Sequence, residues 1–208
     1  MSFLDTFNDW IDGRKIKQPI FTKDFESENP QLNQLLELYP RIKPGQKKDW
    51  VARDIAYVKQ GIEGERNVYF ELKNSFLPIL CLHDIRLESD DYVAQLDFIV
   101  ISNKFICIME TKKLNGDVEI THDGDFIRTI KSYNGRFIKK EGMYSPISQN
   151  ERHMKILKEI LVKEKLIEKL PVNSLVVMAN PQFSVYISSP IRIFLLTIDS
   201  IFGNIIFG

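Results

Sequence analysis

The sequence predicts an α/β fold in which a mixed central sheet is flanked by helices. Apolar residues between positions 47 and 74 follow the 3.6-residue period of a helix. From position 78 the pattern changes to short apolar runs separated by turn residues, which is typical of strands. A second helix after Ser145 lies between further strands, and a strand–helix–strand crossover after an antiparallel meander gives a mixed sheet.

Residues 1–46 are interpreted as an N-terminal elaboration, mostly helix and loop. Four prolines interrupt this segment, and closely spaced leucines at 32–38 predict one short amphipathic helix. Pro44-Gly45 marks a break before the first long helix. The remaining residues, 47–208, are predicted to form one main domain, which fits the usual size of a domain.

The first long helix is predicted from its apolar positions, although Gly61 and Gly64 interrupt the pattern and suggest a bend. Three strands follow, at 78–87, 92–101 and 104–112. Asn115-Gly116 and Asp123-Gly124 are hairpin signals. They predict a small hairpin insert that runs to about residue 140, before the second helix, and strands at 175–178 and 191–198 follow that helix.

The turn between the second and third strands fixes which residues face each other. If residues 102–103 form a two-residue loop, Ile101 pairs with Lys104. Asp97 then pairs with Ile108, and Glu110 lies diagonally beside Asp97. Because directly opposed residues and residues two apart share a face, Asp97 and Glu110 are predicted to project to the same side of the sheet.

Asp97, Glu110 and Lys112 form the predicted chemical centre. Both faces of the surrounding strands are apolar, which indicates a central sheet position where a carboxylate is rarely buried without a partner. Two carboxylates on adjacent strands can bind a hard divalent cation, and Lys112 can offset their charge or contact a phosphate. The alternative interpretation is an ordinary ion pair at the end of a strand.

Charge and cysteine content add weaker indications. The 28 basic and 28 acidic residues cancel, but residues 126–170 carry an excess of basic side chains and residues 60–91 an excess of acidic ones. An acidic stretch beside a basic one suits a metal site next to a phosphate-binding surface, and it is also compatible with ordinary surface variation. Cys81 and Cys107 are interpreted as reduced core residues. With no signal peptide or membrane-spanning run, a cytoplasmic location and no membrane partner are expected.

Four stretches of the sequence resemble the NERD, or nuclease-related domain, family, a branch of the PD-(D/E)xK restriction-endonuclease-like superfamily. The resemblance covers about residues 47–178. The stretches are GIEGE at 61–65, QLDFIV at 95–100, IMETK at 108–112, and SPISQN at 145–150 followed by His153 and Leu157. Two departures are Ser145, where Asn or Asp is commoner, and Phe98, where His often follows the aspartate.

The resemblance implies a restriction-endonuclease-like fold with an αβββαβ core and an active site that binds Mg²⁺ or Mn²⁺. Asp97, Glu110, Glu65 and the backbone carbonyl of Thr111 would hold the metal. Asp97, Glu110, Lys112 and Gln149 would be the catalytic residues. Gln149 and His153, one turn apart on the second helix, would contact the substrate.

The leading functional hypothesis is therefore a metal-dependent nuclease that hydrolyses phosphodiester bonds in nucleic acid, with DNA the expected partner. The alternative is a nucleic-acid-binding or signalling module that keeps the fold without turnover. The apolar segment 201–207 is predicted to be an edge strand, a contact in a homo-oligomer, or the cut end of a longer chain.

Overall fold

A computed structural model describes residues 16–89, 92–131, 136–166, 170–180, 185–187 and 195–197. They form an α/β structure with a six-stranded mixed sheet, a second sheet of four strands and three α-helices. The strands are β1 Ile20–Phe21, β2 Leu80–Ser89, β3 Tyr92–Ile101, β4 Ile106–Lys112, β5 Asp117–Ile120, β6 Phe126–Lys131, β7 Phe137–Met143, β8 Val172–Met178, β9 Val185–Ile187 and β10 Leu195–Thr197.

The helices are α1 Pro30–Leu38, α2 Gln46–Lys73 and α3 Pro146–Lys163, with a short 3-10 turn at Tyr39–Arg41. Side chains cap two of them. Asn29 accepts a hydrogen bond from the Leu32 N–H, and Ser145 accepts one from the Ser148 N–H. In both helices a proline follows the cap, where its missing N–H costs no helical hydrogen bond.

The main sheet has the strand order β1-β2-β3-β4-β8-β10. Strands β2, β3 and β4 form an antiparallel meander, whereas β4 pairs with β8, and β8 with β10, in parallel. Helix α3 makes the crossover between β4 and β8. The predicted mixed sheet and the predicted αβββαβ order are therefore confirmed.

Each face of the main sheet is covered by a different helix. On one face, α2 packs Val68 and Leu72 against Phe98 and Met109. On the other face, α3 packs two leucines against the isoleucines of β3 and β4. That second cluster contains Leu157, Leu161, Ile99, Ile101, Ile106 and Ile108. Because both faces are covered, any charged residue on these strands is removed from water unless it lies at a strand end.

The register between β3 and β4 differs by two residues from the predicted one. Ile101 pairs with Ile106 rather than Lys104, because the loop has four residues rather than two. Ser102 holds this loop: its hydroxyl accepts hydrogen bonds from the N–H groups of Lys104 and Phe105. A shift of two residues preserves the side-chain alternation, so the predicted faces of both strands remain correct.

The second sheet has the order β7-β6-β5-β9 and is larger than the predicted hairpin insert. The hairpin at Asp123-Gly124 joins β5 to β6 as expected. Asn115-Gly116 does not close a hairpin, since β4 and β5 belong to different sheets. Gly116 has a φ of 97°, and a Cβ there would collide with the Thr129 carbonyl, so this glycine lets the chain turn tightly between the sheets.

Helix α2 runs through both of its glycines as one continuous helix of 28 residues. Gly64 is not a break but a point of close packing, because a Cβ there would lie 2.9 Å from the Cβ of Lys113. Gly61 has open space around it. The interruptions in the apolar pattern therefore mark a close helix–strand contact at Gly64 instead of the suggested bend.

Several predictions concern the two ends of the chain. Strand β1, within the predicted N-terminal elaboration, pairs with β2, and the boundary after residue 46 stays a prediction. The apolar segment 201–207 and most of the predicted strand 191–198 lie outside the described residues. Cys81 and Cys107 are free, as expected.

No helix in the described part of the chain combines the length and the apolar character needed to cross a membrane.

Candidate active site

Asp97 and Glu110 lie where strands β3 and β4 separate. The ladder between them ends at the pair Phe98–Met109. Beyond it, β3 continues along β2 and β4 continues along β8. In the observed register Asp97 comes opposite Glu110, closer than the diagonal position that the sequence predicted. The Asp97 carboxylate bridges the opening by accepting a 2.7 Å hydrogen bond from the backbone N–H of Thr111.

Glu110 and Lys112 form an ion pair on the same face. The Lys112 Nζ lies 2.6 Å from Glu110 Oε1, and the glutamate side chain is only 5% exposed whereas the lysine is 26% exposed. The alternative interpretation of this motif, an ion pair at the end of a strand, is therefore geometrically correct. It does not exclude a functional role, because Lys112 extends from the buried carboxylate to the surface of a cleft.

The electrostatics of Asp97 are those of a carboxylate that resists ionisation. Burial raises the pKa of Asp97 well above the usual aspartate value, and the neighbouring charges of Glu110 and Glu65 raise it further. The hydrogen bond from Thr111 and the charge of Lys112 act in the opposite direction. Two further carboxylates thus act on Asp97 at one end of the cleft, which is an arrangement that a bound cation would relieve.

The cleft has a volume of about 470 Å³ and lies between α2, the end of β4 and the second sheet. Its walls combine carboxylates, cations and one exposed aromatic ring. The charged residues that line it are Glu65, Asp97, Glu110, Lys112, Lys113, Arg128 and Glu141, and Tyr57, Gln60, Gly61, Thr111 and Leu114 complete the lining. Arg128 and Glu141 were not predicted from the sequence, since their positions within the insert carry no motif.

Glu65 reaches the cleft from α2 and is held there by His83. The His83 Nε2 lies 3.2 Å from Glu65 Oε2. His83 is only 4% exposed, and its ring packs against Phe25 and Phe98. The sequence predicted no role for His83, because its partner lies 18 residues away and only the packing of α2 on the sheet brings them together.

Gln149 and His153 lie on α3, and within the described structure neither lines this cleft. Gln149 is half-buried in the first turn of the helix. Burial lowers the pKa of His153, and the charge of Glu110 acts in the opposite direction. The predicted contact of both side chains with a substrate stays a prediction.

Asn150, between those two residues, ties the helix to the sheet. It is fully buried, and its Nδ2 donates hydrogen bonds to the carbonyl oxygens of Ile108 and Leu175 at 3.3 and 2.9 Å. The Ile108 carbonyl lies on β4, two residues before Glu110. The Leu175 carbonyl lies on β8, one residue before Val176, which pairs with Glu110 in the sheet. Asn150 therefore helps to fix the strand that carries Glu110 and Lys112.

The donor set fits a small hard cation that keeps several water ligands. No three His, Cys, Asp or Glu side chains among the described residues converge closely enough to form a complete metal centre. Mg²⁺ needs fewer protein ligands than that, because it is usually bound through one or two carboxylates plus water. Asp97 and Glu110 supply two carboxylates. The carbonyl of Thr111, whose N–H donates to Asp97, is the third predicted ligand.

Comparison with protein families identifies a match. A family model described as "Nuclease-related domain" matches residues 60–179, a span that contains the whole charged end of the cleft. No curated protein and no solved structure matched the chain. Since the family model covers more than half of the sequence, the chain belongs to the nuclease-related domain family.

Proposed function

We propose that this protein is a metal-dependent phosphodiesterase that acts on nucleic acid, with DNA as the expected substrate. The observation that carries the proposal is the pair of carboxylates, the half-buried Asp97 and the buried Glu110, which lie at the end of a cleft beside Lys112. Removing neighbouring carboxylates from water costs stability, and an acid whose pKa is raised as that of Asp97 is raised is typical of a functional site. The family to which the chain belongs supports the same class of function.

The metal in this proposal is Mg²⁺ or Mn²⁺. Asp97, Glu110 and the carbonyl of Thr111 would hold it, and Glu65 would bind it directly or through a water molecule. When bound, such a cation polarises a phosphoryl oxygen and lowers the pKa of a bound water. His83 would orient Glu65, in the way that hydrogen-bonding partners orient metal ligands elsewhere.

Lys112 is the residue that we assign to the reacting phosphate. Its ammonium group is partly exposed to the cleft and is held by Glu110, which keeps it in place before a substrate arrives. Phosphodiester cleavage concentrates negative charge on the phosphate oxygens, and a fixed cation offsets that charge where it develops. Gln149 and His153 would assist by holding a phosphate oxygen or a water molecule.

A non-catalytic nucleic-acid-binding module is the second candidate. One observation favours it: the acids of the site already have partners, since Glu110 pairs with Lys112 and Glu65 with His83. In this alternative the same groups would stabilise the cleft without binding a metal. The two candidates differ in whether the purified protein binds Mg²⁺ or Mn²⁺ and turns over a phosphodiester.

The test is a cleavage panel of plasmid, double-stranded and single-stranded DNA, and RNA, each incubated with Mg²⁺, Mn²⁺ or EDTA. We expect cleavage only with a divalent metal and none in an Asp97→Ala variant purified in the same way. Cleavage that persists in that variant would come from a contaminating nuclease. Metal-independent binding without cleavage, and no detectable metal binding, would support the non-catalytic candidate instead.

A further inference from the structure

The second sheet contributes a guanidinium group to the cleft, and we propose that this residue, Arg128, binds a phosphate of the substrate. The second sheet would then be part of the substrate-binding surface rather than a structural insert. This inference rests on the proposed function, because it assumes that the cleft accepts a phosphodiester chain.

Arg128 lies on β6 and forms one wall of the cleft that also contains Lys112 and Lys113. Its side chain is only 14% exposed, so its position is fixed by packing and it loses little side-chain entropy when a ligand binds. A planar guanidinium group in such a wall matches two phosphate oxygens at once, which a lysine cannot do.

The hydrogen-bonding capacity of Arg128 is incompletely used within the described structure. Glu141, its neighbour in register on β7, lies 3.0 Å from Nη2, while the buried Nε has no hydrogen-bond partner among the described residues. Glu141 is also shared, since Lys139 lies 2.5 Å from its other oxygen. An unsatisfied buried donor is costly, and a small movement of the guanidinium group onto an incoming phosphate would relieve that cost.

Arg128 differs from the other two cleft cations in the carboxylate with which it is paired. Lys112 is held by the buried Glu110, and Lys113 lies 2.7 Å from Glu63. Each of the three cleft cations has a carboxylate partner among the described residues. Of these three carboxylates, only Glu141 is partly exposed and also lines the cleft. A phosphate could therefore replace Glu141 at Arg128 without exposing a buried carboxylate.

The competing explanation is structural: Arg128 and Glu141 are a cross-strand pair, and such pairs stabilise sheets by themselves. The two explanations predict different effects of a substitution at Glu141. If the pair is structural, Glu141→Gln and Arg128→Ala should both lower the melting temperature and weaken nucleic-acid binding. If Arg128 binds phosphate, Glu141→Gln should leave nucleic-acid binding unchanged or tighter, because a competing anion has been removed.

The experiment measures binding of fluorescently labelled single- and double-stranded DNA oligonucleotides by anisotropy, with Ca²⁺ present as a hard divalent ion. We expect Arg128→Ala to weaken binding about 10-fold or more and to reduce the slope of log K against log salt by about 0.7–0.9, the value of one phosphate contact. Arg128→Lys should recover part of the affinity, because lysine keeps the positive charge but cannot bind two phosphate oxygens at once as a guanidinium group does. The matched control is Arg86→Ala, which removes an exposed arginine paired with Glu88 outside the cleft.

Two results would overturn the inference and are distinguishable from failure of the proposed function. If wild-type protein binds and cleaves DNA while Arg128→Ala binds equally well, the inference is wrong and the proposed function remains. If Arg128→Ala and Glu141→Gln lower the melting temperature equally and weaken binding equally, the pair is structural. Absence of any nucleic-acid binding by the wild-type protein would remove both proposals.

Discussion

The Asp97 carboxylate accepts a 2.7 Å hydrogen bond from the Thr111 backbone N–H, just beyond the last residue pair of the β3–β4 ladder. A side chain here takes the place of a backbone acceptor from the neighbouring strand. The contact fixes Asp97 relative to the strand that carries Glu110, so Asp97 is held opposite Glu110 in the register of the two strands. The position of the acid pair therefore depends on where the two strands separate.

Replacing Asp97 by Asn should stabilise the metal-free protein at neutral pH. Burial and the charges of Glu110 and Glu65 raise the pKa of Asp97, so the folded state favours the protonated acid. The stability that this provides is complete below the unfolded pKa of about 3.9 and is lost as the pH rises through the higher folded pKa. The asparagine can still accept from Thr111, and thermal unfolding in EDTA should show a melting temperature several degrees higher than wild type at pH 7.5.

The pH series provides the internal control for this prediction. The difference between Asp97→Asn and wild type should shrink towards pH 4, where both side chains are uncharged. Addition of millimolar Mg²⁺ or Mn²⁺ should raise the melting temperature of the wild type but not of the variant, since only the ionised acid binds the metal. A variant that is less stable than wild type at every pH would contradict the assigned cause.

Two alanine substitutions in one helix should have opposite effects. A Cβ at Gly64 would lie 2.9 Å from the Lys113 Cβ, so Gly64→Ala should push α2 away from the sheet and cost about 1–3 kcal/mol. Gly61→Ala adds a methyl group into open space and should gain about 0.5–1 kcal/mol from helix propensity. Denaturant unfolding of both variants measures the difference, and equal effects would mean that Gly64 makes no close contact.

The sequence predicted the faces of β3 and β4 correctly because side-chain alternation survives a shift of two residues. It predicted the register wrongly, since the loop has four residues, within which the Ser102 hydroxyl accepts hydrogen bonds from two backbone N–H groups. Sequence motifs indicated Asp97 and Glu110 because their pattern is local. His83 and Arg128 have no local signal, since each reaches the cleft only through the packing of distant elements.

Asn150 should be required for the stability of the site rather than for chemistry. Its amide donates to the carbonyl oxygens of Ile108 and Leu175 in a fully buried position. Asn150→Ala leaves both without this donor and should cost about 1–3 kcal/mol. Asn150→Asp should cost more at neutral pH, because a carboxylate would face two carbonyl oxygens.

Thermal unfolding of the Asn150 variants should be compared with Glu151→Ala, an exposed neighbour on the same helix. The Asp variant should regain stability as the pH falls and its carboxylate becomes protonated. If Asn150→Ala is as stable as Glu151→Ala, the two hydrogen bonds do not hold the helix to the sheet. The metal affinity of Asn150→Ala would then be expected to match that of the wild type.

Glu110 and Lys112 should be separable by their effects on metal binding and on turnover. Glu110→Gln removes a proposed metal ligand and leaves Lys112 without its 2.6 Å partner, so metal affinity and cleavage should both fall.

Lys112→Ala leaves the ligand set intact and also removes the cation that competes for Glu110. Its affinity for Mn²⁺, measured by calorimetry, should therefore be equal to or higher than that of the wild type. Its cleavage rate at saturating metal should nevertheless fall on the order of 10²-fold, because a charge that acts in the transition state is missing. Loss of both properties in Lys112→Ala would show that the lysine organises the acids. Loss of neither would leave Lys112 as the structural partner of the buried Glu110, with no part in the reaction.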